Sequence, residues 1–203
     1  MAPRWSKIGE EHGTGRIILL AGLRYPTDRP MFAPAVEAAK ARGMGITRVE
    51  FRFADDPAFM GASDEVRFEA IAEEGRELAS VLGGTPAVLV GKSLGTMIMG
   101  AMIGRVHPAT RWVWFTPSLN ETPLLDQMRA CTGPSLSVIG GADGSTPITR
   151  GANYLALPRM THLEFAGFSH SWTHPEGAKA EARSLKEIGR TLDQWLDATG
   201  AHT

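Results

Sequence analysis

The residues Gly91-Lys92-Ser93-Leu94-Gly95-Thr96 constrain this chain more than any other segment. They follow a short apolar run, Ala87-Val88-Leu89-Val90, which reads as a buried strand. They open a longer apolar stretch, Met97 to Val106, whose small residues Gly100, Ala101 and Gly104 suit a buried helix. A strand that becomes a helix over so few residues must turn a sharp corner. Ser93 is expected to hold a strained backbone conformation there, with its hydroxyl lifted clear of the sheet. Gly91 and Gly95 lack a Cβ, so strand and helix can approach each other closely around it.

A serine between two glycines at such a corner is the nucleophile-elbow arrangement. The same letters contain Gly-Lys-Ser, the end of a phosphate-binding P-loop. That motif needs a glycine where this chain has Pro86, and a loop where it has the strand Ala87–Val90. A dinucleotide site fails as well, because Gly13-Thr-Gly15 precedes its strand and no third glycine follows at Ile18.

Composition narrows the remaining classes. A chain of 203 residues suits one domain, here 1–203, with room for a substantial core. A formal net charge of −1 leaves no electrostatic footprint for nucleic acid or an anionic membrane. No run approaches the roughly 18 apolar residues of a membrane span, and the first residues lack the apolar core of a signal peptide. Cys131 is the only cysteine, so neither an intrachain disulfide nor a cysteine-based metal site is expected. These features predict a cytoplasmic protein without metal.

Strands alternate with helices along the chain. Strands are predicted at 16–21, 46–53, 87–90, 112–115, 136–139 and 162–166. Helices are predicted at 30–42, 64–82 and 176–198, besides the elbow helix and a short segment at 124–131. In the helix 64–82, Val66, Ala70, Ile71, Leu78 and Val81 fall near helical spacing, with Ser63 as N-cap and Gly83-Gly84 as terminator. The pattern predicts an α/β protein: a three-layer α/β/α sandwich around a mostly parallel sheet of about six strands.

In such sheets, active groups sit in loops beyond the carboxyl ends of strands. The strand ending at Ile139 runs into Gly140-Gly-Ala-Asp143, and the one ending at Ala166 into Gly167-Phe-Ser-His170. A serine hydroxyl is a poor nucleophile and needs a base at hydrogen-bond distance. His170 can take its proton and return it to a leaving group. Asp143 would hold the imidazole in one tautomer and stabilise the imidazolium. Each has a rival: Asp126 follows the preceding strand, and His174 lies just before Pro175. His12, His107, His162 and His202 read as surface or structural residues.

With Ser93, Asp143 and His170 in that order at strand ends, the chain resembles the α/β-hydrolase superfamily over 16–198. The short connection from Thr116 to Cys131 makes it similar to small members without a cap domain, the dienelactone-hydrolase-like and carboxylesterase-like ones. The resemblance implies a cofactor-free serine hydrolase acting on a small carboxylic ester or thioester. A lactonase or small-amide hydrolase of the same fold, or a non-catalytic binding protein, are the alternatives. It further implies an oxyanion hole from the backbone N–H of Leu94 and one from the loop after the first strand, at Leu23 or Arg24. This chain has Ala21-Gly22 where relatives often carry His-Gly, and Lys92 where many carry histidine. Lys92 reads as packed away from the catalytic face.

Substrate contacts are expected among Tyr25, Phe59, Met60, Met97, Leu119 and Trp172. Arg24 reads as a possible clamp for a substrate carboxylate or phosphate, or as a surface salt bridge. The segment 53–61, with Phe59 and Met60, is a candidate lid that would fold over an otherwise open cleft and supply an acyl tunnel.

Overall fold

Short β-branched runs and longer amphipathic runs alternate, and the chain folds accordingly into one sheet with helices on both faces. The computed structural model describes residues 5–8, 15–82, 84–120, 122–145, 157 and 159–200. Its strands are β1 (Trp5–Ile8), β2 (Arg16–Leu20), β3 (Gly45–Phe51), β4 (Val88–Lys92), β5 (Arg111–Phe115), β6 (Ser135–Gly140) and β7 (Met160–Phe165). Its helices are α1 (Ala33–Ala41), α2 (Pro57–Met60), α3 (Asp64–Leu82), α4 (Leu94–Met102), α5 (Thr122–Ala130) and α6 (Ala178–Ala198).

The strand order is β1-β3-β2-β4-β5-β6-β7. All neighbours run parallel except β1, which pairs antiparallel with β3, Trp5 opposite Phe51. β1 adds a seventh strand to the six expected. Three of its four residues are exposed, so no buried alternation marks it in the sequence.

Successive residues of the strands feed opposite layers. Ile18 and Leu20 of β2 join Leu89, Trp112 and Trp114 in a core with Leu78 of α3 and Ile98 and Met102 of α4. Ile17 and Leu19 join Val88, Val90, Val113 and Phe115 in a second core with Ala35 and Ala39 of α1 and Ile188 and Leu192 of α6. Each such fully buried aliphatic side chain contributes about 1.5–3 kcal/mol.

Several boundaries differ from expectation for local reasons. The elbow helix stops at Met102 rather than Val106, because Ile103 turns extended and Gly104 takes φ 75°. The last helix starts at Ala178 rather than Glu176, since Gly177 holds φ 71° and ends the preceding turn. β3 stops at Phe51, and Phe53 begins a 3₁₀ turn. The predicted helix 30–42 is a 3₁₀ turn, Pro30–Phe32, followed by α1. α3 spans the predicted residues and Ser63 Oγ accepts the Val66 N–H at 3.5 Å, but Val66 and Val81 are exposed. Ile71 and Leu78 are buried as expected, on a face completed by Glu74, Gly75, Ala79 and Leu82. The expected terminator Gly83 lies outside the described residues. No helix among the described residues is long and apolar enough to cross a membrane.

The topology positions the site. From β2 the chain moves outward to β3, then returns to lay β4 on the other side of β2 and continues to β7. The carboxyl ends of β2 and β4 thus form the switch point, where loops diverge and leave a crevice. Ser93 follows β4, and the turn Gly22–Tyr25 follows β2.

Candidate active site

Ser93 occupies φ 52°, ψ −113°, a sparsely populated conformation for a non-glycine residue that costs about 1–3 kcal/mol. The fold holds it there by close packing on either side. A Cβ at Gly95 would collide with the carbonyl oxygens of Leu20 and Ala21, and one at Gly91 with Met99 Sδ and the Gly95 backbone. The Ser93 N–H is tied to the Phe115 carbonyl at 3.1 Å. The predicted strained corner is therefore present.

His170 Nε2 lies 2.7 Å from Ser93 Oγ. On the other side of the ring, Nδ1 lies 2.9 Å and 3.0 Å from the two oxygens of Asp143. The Asp143 carboxylate is wholly removed from solvent and also accepts the Ser145 N–H at 2.8 Å. Facing a carboxylate, Nδ1 carries the proton and Nε2 is left to accept one from the serine. The three residues singled out in the sequence converge with the spacing a proton relay requires.

The rivals lie elsewhere. Asp126 is an exposed residue of α5, paired with Arg129 at 2.8 Å. His174 stacks on Phe168, 4.7 Å between ring centres, and its Nδ1 accepts the Glu176 N–H at 3.1 Å. Gly167, at φ 78°, makes that packing possible, since a Cβ there would meet the His174 ring at 2.6 Å. His107 accepts the Ala109 N–H, and His162 sits on β7 with its pKa lowered by burial. His12 and His202 lie outside the described residues.

Two residues expected to supply backbone donors, Leu94 and Leu23, line the cleft over Ser93. Leu94 is the first residue of α4, so its N–H has no acceptor within the helix. After β2, Gly22 and Tyr25 exchange hydrogen bonds of 2.9 Å and 3.1 Å, which places Leu23 and Arg24 at the tip of a tight turn. Arg24 takes φ 57°. Leu23 and Leu94 both line the cleft over Ser93, whereas Arg24 does not. Of the two candidates in this turn, Leu23 is the one beside the serine.

The cleft has a volume of about 160 Å³. Phe59, Phe68, Ile71 and Met97 form its apolar wall, with Asp64, Arg67 and Ser118 also on its lining. Phe59 comes from the 53–61 segment, which is ordered by Asp56: one carboxylate oxygen accepts the Ala58 and Phe59 N–H groups at 3.0 Å and 3.2 Å. Phe68 was not singled out in the sequence. Its signal was present, three residues before Ile71 on the same helical face.

Other expected contacts are corrected. Leu119 is fully buried in the core, and Met60 is exposed outside the cleft. Trp172 is packed with Phe165 and Phe168, and its Nε1 donates to Ser184 Oγ at 3.0 Å. Arg24, Tyr25 and Trp172 line a different cavity from the one over the serine. Lys92 points to the α1/α6 side, 2% exposed, with Nζ 4.6 Å from the Tyr25 ring centre. Burial pulls its pKa down to about 8, against the opposing pull of Asp143. Among the described residues, no cluster of histidine, cysteine or carboxylate side chains has the makings of a metal site.

The sequence matches no family model and no curated protein. Its structure is similar to solved α/β-hydrolase-fold proteins. Est1E from Butyrivibrio proteoclasticus, bound to ferulic acid, superposes with a TM-score of 0.64 at 12% identity, over 97% of this chain and 96% of that one. A monoacylglycerol lipase from Paleococcus ferrophilus gives 0.64 at 17% identity, over 98% and 100%. Alpha/beta hydrolase domain-containing protein 10 from mouse gives 0.60 at 14% identity, over 94% and 93%. The chain has the fold of the α/β-hydrolase superfamily, without a cap domain among its described residues.

Proposed function

We propose that this chain is a serine hydrolase that cleaves a small carboxylic ester or thioester through an acyl-enzyme. The observation that carries the reading is the line of contacts from Ser93 Oγ through His170 to the buried Asp143 carboxylate. As Ser93 Oγ attacks the acyl carbon, its proton passes to His170 Nε2. Asp143 stabilises the imidazolium that results. The carbonyl oxygen becomes an oxyanion, which accepts hydrogen bonds from the N–H groups of Leu94 and Leu23. Collapse breaks the bond to the leaving group, which takes the proton from His170. Water, deprotonated by the same nitrogen, then releases the acid and regenerates the serine.

The cleft sets the scale of the acyl group. A small cleft with an apolar wall of Phe59, Phe68, Ile71 and Met97 favours short acyl groups, acetyl to butyryl, over long lipid chains.

A fluorophosphonate probe tests the reading directly. It should label Ser93, as located by peptide mass spectrometry, and the label should vanish in Ser93→Ala. Labelling at another residue, or none alongside inactivity on a panel of p-nitrophenyl esters, would sink it.

A further inference from the structure

A second cavity, of about 330 Å³, opens on the α1/α6 side of the sheet, away from the α3/α4 side that holds the acyl cleft. Arg24, Tyr25 and Arg29 wall it from the loop after β2, Ser171 to Thr173 from the segment after His170, and Glu181 from α6. The two cavities share their partition. Leu23 faces the serine and its neighbour Arg24 faces the second cavity; His170 touches the serine and its neighbour Ser171 lines the second cavity.

Trp172 and Thr173 are bonded to Ser184 and Ser169, but the two guanidiniums of this cavity are uncommitted among the described residues. Among the described residues, neither Arg24 nor Arg29 makes a hydrogen bond or ion pair through its guanidinium. Tyr25 Oη accepts the Met31 N–H at 3.3 Å, and among the described residues its own proton has no acceptor. Two guanidiniums thus face one carboxylate, Glu181, whose Oε1 accepts the His174 N–H at 3.3 Å. Arg24 is also held at φ 57°, a conformation normally left to glycine or asparagine. Guanidiniums with free N–H forks match the geometry of carboxylate and phosphate oxygens.

Resting on the hydrolase reading above, we infer that this cavity receives the leaving-group half of the substrate, and that this half carries a carboxylate or phosphate oxyanion. The acyl group lies in the apolar cleft on one side of Ser93. The departing oxygen or sulfur takes its proton from His170 Nε2, so it leaves past His170, on the side where Ser171 to Thr173 begin the second cavity. Substrates would be short-chain acyl esters of an anionic alcohol or thiol.

Three acetyl esters of matched size test this: 4-acetoxybenzoate, 4-acetoxyphenyl phosphate and the neutral 4-acetoxybenzamide. At least one anionic ester should exceed the neutral one in kcat/KM by about tenfold or more, the factor of one charge-assisted hydrogen bond, mainly through a lower KM. Arg24→Gln and Arg29→Gln should each bring that ratio towards one. In parallel, Ser93→Ala protein is titrated calorimetrically with 4-hydroxybenzoate, 4-hydroxyphenyl phosphate and 4-hydroxybenzamide. Anion binding that weakens when either arginine is also changed supports the site, and the preferred anion identifies the oxyacid. Turnover of all three esters at similar kcat/KM, with no arginine-dependent anion binding, overturns the site and leaves the hydrolase standing. Arginine-dependent anion binding with no turnover of any ester overturns the hydrolase reading and its leaving-group role, and leaves an anion site alone.

Discussion

The ammonium of Lys92 and the ring of Tyr25 lie 4.6 Å apart, packed against the turn that separates the two cavities. Lys92 is 2% exposed, and among the described residues its ammonium makes no hydrogen bond or ion pair. The Tyr25 ring quadrupole and the attraction of Asp143 share the compensation for burying this charge.

The sign of the resulting pH dependence follows from the lowered pKa. Between about pH 8 and 10.5 the unfolded chain still holds the Lys92 proton while the folded chain has released it. The unfolded state binds more protons there, so the contribution of Lys92 to stability rises with pH across that window. At pH 7 the buried ammonium costs at most about 3 kcal/mol, offset by about 1 kcal/mol of cation–π attraction. Lys92→Met should therefore raise Tm at pH 7, and the gain should shrink to nothing by pH 10.5. A difference in Tm that does not change with pH would contradict the assignment.

For the triad, Ser93→Ala and His170→Ala should be about equally severe, because the members act as a unit. Asp143→Asn should lower kcat by roughly 10⁴-fold, as in a comparable triad. His174→Ala is the contrasting variant: it should keep turnover while lowering stability by about 1–3 kcal/mol through lost packing against Phe168. Steady-state kinetics and thermal melts on the four proteins separate the roles. Loss of turnover in His174→Ala with retention in His170→Ala would reverse them.

At the elbow, Gly95→Ala should destabilise the fold by about 3 kcal/mol or more, since its Cβ meets backbone rather than a movable side chain. Gly84→Ala has open space around it and should stay within about 0.5 kcal/mol of wild type. Urea denaturation midpoints provide the comparison. Equal effects at the two glycines would mean that strand and helix are not in close contact at Ser93.

Acyl preference should respond to the cleft wall. Wild type should show its highest kcat/KM on acetyl to butyryl p-nitrophenyl esters. Met97→Ala removes a lining side chain from a helix that otherwise stays packed, so the optimum should move towards hexanoyl or octanoyl. A dodecanoyl optimum in the wild type would place the acyl chain outside this cleft.

Much of this site was legible because its signals are local. Ser93 is marked by its flanking glycines and by the switch from strand to helix. Asp143 and His170 are marked by position, each a few residues beyond an apolar strand. What the sequence withholds is which side of the sheet a loop residue faces. Leu23 and Arg24 are neighbours, yet they line different cavities, and Arg24 adopts a positive φ that its residue type does not signal. Trp172 misleads for a similar reason: it also holds a positive φ, 63°, and turns into the aromatic cluster instead of the cleft. On α3, Val66 and Val81 are apolar but exposed, so counting hydrophobic residues rotated the expected buried face. β1 was missed because it is a short edge strand whose pairing with β3 depends on a distant partner.

The spread of Ser93, Asp143 and His170 along the chain also bears on when the proposed site assembles during folding. Ser93 and His170 are 77 residues apart, and Asp143 and His170 are 27 apart. They meet only when β4, β5, β6 and β7 are all paired in register, each parallel pairing requiring a long crossover. Such non-local pairings are the slow steps of folding. A refolding chain should thus regain bulk helical signal well before it regains turnover, which makes turnover a reporter of the last strand to dock.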